Sequence, residues 1–173
     1  GHSCIQCMVT EYENGALVRY FIGIRNDLLE RTLNHILGEI QLRYDGITSL
    51  MIDADMLSSE KDGGRFRFYC QNTKDIKHSA DSFINLMDRK GFDFLDHFKS
   101  VENIDSFYND QPKVSAKWCN HSSIRCFRAM TSAKILGRND YDRLFSMHQQ
   151  YLSERGFKGP ILENFNRTFA RLK

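Results

Sequence analysis

Residues 4–24 read CIQCMVTEYENGALVRYFIGI, and how this stretch folds decides the architecture of the chain. Two runs, 4–12 and 16–25, carry Val, Ile, Tyr, Phe and Thr, whose branched or planar side chains pack well on a pleated surface. Between them stands Glu13-Asn14-Gly15, and Asn-Gly supplies the positive φ that a tight reversal needs. The expectation is an antiparallel hairpin. This bears on the Cys-x-x-Cys of Cys4 and Cys7. On a strand, positions three apart point to opposite faces, so the two sulfurs diverge and cannot share one ion. A redox pair would need its first cysteine at a helix N-terminus, and no helix is predicted there.

Outward from the hairpin, Asn26-Asp27 caps LLERTLNHIL, in which Leu28, Leu29, Thr32, Leu33, Ile36 and Leu37 recur at helical spacing, with Gly38 as a stop. EIQLRYDG (39–46) fits either a strand or a continued helix. ITSLMIDADML and RFRFYCQN alternate around SSEKDGG, predicting a second hairpin with strands at about 48–54 and 65–71. From Thr73 the pattern is helical. Ile76, Ala80, Phe83, Ile84 and Met87 form one apolar stripe, expected to end at Gly91. FDFLDHF is a short aromatic helix or turn, Ser100 caps VENIDSFYN, and NDQPK breaks the chain. Ser122 or Ser123 opens a helix closed by Gly137, Asn139 caps another closed by Gly156, and Pro160 suits the first turn of a last one.

Strands first and helices after them predict an α+β domain. The expected form is an antiparallel sheet of about four strands, in two hairpins, covered by helices, with a C-terminal helical hairpin and a final helix. One domain is expected over 1–173, with 1–72 mainly strands plus one helix and 73–173 helical. The length supports one core, and 41% hydrophobic with 27% charged residues is an ordinary globular balance. No apolar run approaches the roughly 18 residues of a membrane span. No secretory leader is visible, although Gly1 is not an initiating residue and the natural N-terminus is expected to differ. Five cysteines, an odd number, do not form a disulfide framework; reduced thiols in a cytoplasm are expected.

Zinc would require Cys4 and Cys7 to be joined by Cys119 and His121, or by Cys126, and Cys-x-His-x4-Cys is not a usual ligand spacing. Asp53 and Asp55 share a strand face and could hold a divalent ion, but their alternation with Leu50 and Ile52 points to a solvent-facing strand edge. Asp93, Asp96 and His97 are expected at the surface. No histidine pair has a ligand frame, and no phosphate loop or nucleophile elbow occurs. No catalytic, cofactor-binding or metal-ligating residue is therefore assigned, and the balance leans away from an enzyme.

Charge is unevenly spread. Residues 1–109 hold 12 Lys+Arg against 17 Asp+Glu, a net of −5; residues 110–173 hold 12 against 5, a net of +7. Lys117, Trp118, Arg125, Phe127, Arg128, Lys134, Arg138 and Arg143 make the basic half a candidate nucleic-acid surface. On the helix at 123–136, Ile124, Phe127 and Ala133 fall to the core, and Arg125, Arg128 and Lys134 are expected in solvent.

Residues 65–110, RFRFYCQNTKDIKHSADSFINLMDRKGFDFLDHFKSVENIDSFYND, resemble a region of uncharacterised bacterial α+β domains, carried most closely by DFLDHFKSVENI at 93–104. The resemblance extends over about 16–152. Some of those domains are suspected immunity proteins of polymorphic toxins. It implies an α+β fold and a protein partner, and transfers no catalytic residue. The leading expectation is thus a non-enzymatic, bacterial protein-binding domain, toxin-neutralising in its narrower form. A nucleic-acid binder is second, and a metal-dependent enzyme or zinc-stabilised domain third.

Overall fold

The computed structural model describes residues 2–38, 48–58, 66–112 and 122–170. The ambiguous stretch 39–46, most of the expected turn at 58–64, and Lys117, Trp118, Cys119 and His121 lie outside the described residues.

Strands β1 (His2–Tyr12) and β2 (Gly15–Arg25) form the expected hairpin, with Tyr12 opposite Gly15 across the turn Glu13-Asn14. Close approach demands the glycine: a Cβ at position 15 would lie 2.7 Å from the Cys70 carbonyl oxygen and 3.0 Å from the Tyr69 ring. Strand β3 (Leu50–Asp53) pairs antiparallel with Phe21–Ile24 of β2, and β4 (Arg67–Cys70) pairs antiparallel with Ala16–Arg19. Both oppose β2, so they run in the same direction and lie end to end along one of its edges. The second hairpin expected from the alternating patterns is instead one interrupted edge strand. Alternation marks a strand without naming its partner; here Ile52 meets Ile22 and Phe68 meets Val18 on β2. The sheet is antiparallel, and β1 is its other edge.

Helices cover one sheet face. Val18, Tyr20, Ile22 and Ile24 of β2, with Leu50 and Ile52 of β3, bury their side chains against the helical layer. That layer contains α1 (Asp27–Gly38), α2 (Thr73–Leu86), α3 (Phe92–His97) and α4 (Val101–Asn109). Tyr20 stacks on Phe83 of α2, centroids 4.3 Å apart, and its hydroxyl lies 3.1 Å from the Ser79 hydroxyl. Asn72, rather than Thr73, caps α2 by accepting from the Lys74 and Asp75 amides. Gly91 does not stop the chain as expected. A π-helical turn, Met87–Gly91, carries it through into α3 with Gly91 in helical backbone, φ −68°. Ser100 caps α4 as anticipated.

A second core lies between α1, α5 (Ser122–Ile135), α6 (Tyr141–Glu154) and α7 (Pro160–Phe169). Leu33 and Leu37 of α1 meet Phe127 and Met130 of α5, Leu144 and Leu152 of α6, and Phe165 and Phe169 of α7. Gly137 (φ +59°) and Gly156 (φ +77°) close α5 and α6, while Asp140, not Asn139, precedes α6. The molecule is α+β. No helix among the described residues is long and apolar enough to cross a membrane.

Candidate functional site

The acid pair separates. Asp53 ends β3 and is buried, ion-paired with Arg19, and it accepts a hydrogen bond from the Asp55 amide at the start of a 3-10 turn, Ala54–Met56. This corrects the expectation of a solvent-facing edge. Asp55 instead receives Arg67 Nε at 2.8 Å. Each carboxylate is answered by its own arginine, and the two are not jointly presented to a cation. Among the described residues no group of three or more His, Cys, Asp or Glu is placed to hold a metal.

Cys4 and Cys7 face opposite sides of the sheet. Cys4 pairs with Gly23 and packs against it, and burial raises its thiol pKa against the lowering effect of a hydrogen bond to the Gly23 backbone. Cys7 pairs with Tyr20 and is exposed. Cys126 is buried in the second core, its thiol pushed up to about 12 by burial. Cys119 and His121 lie outside the described residues. Asp93, Asp96 and His97 are exposed, with Asp96 ion-paired to Lys99.

The basic half differs most from expectation. Arg125 and Arg128 are not in solvent. Arg125 is 1% exposed and lies over the Tyr151 ring, 4.4 Å from its centroid. Arg128 is buried against Glu30 of α1, with Nε donating at 2.8 Å and Nη2 at 3.3 Å, and it also donates to the Thr48 carbonyl. A bidentate fork suits a buried carboxylate, and a sequence window cannot show a partner 98 positions away. Arg138 Nη1 donates to Asp105 at 2.8 Å and to Asp110 at 2.9 Å, while Nε donates to Asp140 at 2.9 Å. Arg138 and Arg143 together hold the Asp140 carboxyl down at about 2. Lys134 is exposed, as expected.

Sequence reasoning missed the buried network that Arg138 closes. Asp105 also accepts from Asn109 Nδ2 (2.6 Å) and from the Ser132 hydroxyl (2.8 Å), and His148 Nε2 lies 2.8 Å from Asn109 Oδ1. The i, i+4 spacing of Asp105 and Asn109 was legible; the partners on α5 and α6 were not.

The feature that remains for recognition is β1. All but one of its eleven residues are exposed. Its odd-numbered side chains lie on the face that β2 buries, yet Ile5 is 54% and Val9 55% exposed. Met8 and Tyr12 are exposed on the opposite face. In a two-residue hairpin the pair flanking the turn is hydrogen-bonded, so even-numbered β1 residues bond to β2. The odd-numbered amides and carbonyls point outward from the sheet. Edges of this kind are commonly blunted by Lys, Pro or a bulge. HSCIQCMVTEY contains neither residue, and its one carboxylate is Glu11, near the end. No family model matches the chain, and neither does a curated protein or a solved structure.

Proposed function

We propose that the chain is a protein-binding domain, not an enzyme, and that β1 is its contact strand. One observation carries this: an eleven-residue edge strand that is exposed on both faces and apolar at Ile5, Met8, Val9 and Tyr12. Exposed apolar clusters on a folded surface are characteristic of interaction sites. The resemblance of residues 65–110 to bacterial domains, some suspected to be toxin immunity proteins, supports the narrower form: a bacterial, cytoplasmic module that neutralises a toxin by occupying it. The nucleic-acid reading draws less support, because Arg125, Arg128 and Arg138, which suggested it, are engaged within the fold.

The test is affinity capture from cells with two baits, the natural chain and one carrying Ile5→Lys and Val9→Lys. A stoichiometric protein retained by the first and lost by the second supports the reading. Baits that retain the same proteins overturn it.

A further inference from the structure

The stripe on α2 that looked continuous in sequence is split. Phe83, Leu86 and Met87 are buried, but Ile76 is 56% and Ile84 55% exposed. The position of these isoleucines follows from helical geometry. Ser79 and Phe83 face Tyr20 on β2. His78, about 100° around the helix from Ser79, meets Phe68 of β4, centroids 6.0 Å apart. Ala80 lies about 100° to the other side, with Ile76 and Ile84 one turn before and after it on the same flank. β4 and β1 lie on opposite edges of β2. The flank bearing Ile76, Ala80 and Ile84 therefore faces the β1 side.

Two apolar rows thus meet at an angle. Ile5, Cys7 and Val9 form a floor, and Ile76, Ala80 and Ile84 form a wall. A helix is about 10 Å across, roughly two strand spacings. α2 fills that width over β4 and β2, and the next position in its layer, over β1, leaves four half-exposed aliphatic side chains. A strand added to the β1 edge would lie in the plane of the sheet and leave them in water. A helix laid over β1 against α2 would bury all four. The charges at the rim are acidic in sum: Glu11 at the end of the floor and Glu13 in the turn beyond it, with Asp81 on the outer side of α2 and Asp88 just past its end set against Lys74 and Lys77.

Building on the protein-binding reading above, we infer that the occupant is one amphipathic α-helix of the partner. It has an apolar face at i, i+3/i+4, i+7 spacing and Lys or Arg along its flanks, and it completes the helical layer over β1.

Cys7, at the centre of the floor, permits a direct test by thiol–disulfide exchange in the full chain carrying Cys4→Ser and Cys119→Ser. Three peptides of about four turns' length are offered as mixed disulfides with cysteamine. One is helical with leucines on one face and lysine flanks, one is the same helix with glutamate flanks, and one rearranges the first composition to alternate as a strand. The Cys7 thiolate displaces cysteamine and joins the peptide, and capture is titrated with reductant. The expected result is that the lysine-flanked helix survives roughly tenfold more reductant than the other two, an advantage abolished by Val9→Lys and by Ile84→Lys. Both positions are more than half exposed, and far-UV dichroism confirms that the fold persists. Preferred capture of the strand peptide, insensitive to Ile84→Lys, overturns the helix while leaving a protein-binding edge. Preferential Cys7–Cys7 linkage of two copies assigns the surface to self-association and overturns it likewise. Preference for the glutamate-flanked helix overturns the charge assignment. Equal capture of all three, unchanged in both variants, overturns this inference, while the protein-binding reading is decided separately by the bait comparison.

Discussion

His148 is a proton-sensitive residue in the helical core. Asn109 donates through its amide to Asp105 and to the Ala129 carbonyl, so its oxygen accepts and His148 Nε2 carries the proton. Burial, reinforced by Arg125, depresses the imidazole to about 3. A depressed histidine takes up protons more readily in the unfolded chain, whose value is near 6.5. Stability is therefore full above that value and falls as pH drops from 6.5 towards 3. Between pH 7.5 and 5 the loss from this residue is about 2 kcal/mol. Urea unfolding at the two pH values measures it, and His148→Gln, which keeps a donor to Asn109, should flatten the difference. Arg138→Met removes a cation from the buried Asp105 carboxylate. Because Arg138 is about one-fifth exposed, the cost is put at about 2–3 kcal/mol, below that of a fully buried pair. Thiol exposure gives a third check. In the native protein maleimide should modify Cys7 first and Cys4 more slowly, with Cys70 and Cys126 modified on denaturation, as read by peptide mass spectrometry.

Among the elements, the first hairpin and most helices were readable because their signals are local: Glu13-Asn14-Gly15 between β-rich runs, Ser100 before α4, glycines after α5 and α6. Gly15→Val tests the hairpin's dependence on a missing side chain. With the Cys70 carbonyl oxygen 2.7 Å from the Cβ position, the branched residue should cost about 2 kcal/mol in chemical denaturation. What local signals could not show was pairing. β3 and β4 alternate as two strands of a hairpin would, and their union with opposite halves of β2 depends on residues some 30 to 50 positions away. The Gly91 stop failed because a glycine in helical φ gives no sign that a π turn will carry the chain on. The α2 stripe failed in a more useful way. Five apolar positions were legible as one face, but burial depends on what lies opposite, and Ile76 and Ile84 are left more than half exposed.

Across the whole molecule, the charge asymmetry was legible as a sum and misleading as a surface. Much of the C-terminal excess of arginine enters the fold: Arg125 lies over the Tyr151 ring, while Arg128 and Arg138 meet Glu30 and Asp105 from the acidic half. The proposed contact surface lies at the other end of the chain. Val9→Lys should therefore leave unfolding free energy within about 0.5 kcal/mol of the natural protein, as for other solvent-facing positions, while abolishing partner capture. The sheet's asymmetry has a kinetic consequence as well. β2 is bonded on two sides and β1 on one. Lifting β1 away breaks a ladder of hydrogen bonds but exposes little new apolar area, since Ile5, Cys7 and Val9 already meet water. In native-state amide hydrogen exchange, even-numbered amides of β1 and odd-numbered amides of β2 should share one low-energy opening. Val18, Ile22 and Ile24, turned towards β3 and β4, should exchange through global unfolding. Alternate residues of a single strand would then differ in protection by orders of magnitude, and any molecule that settles on β1 would announce itself by erasing the difference.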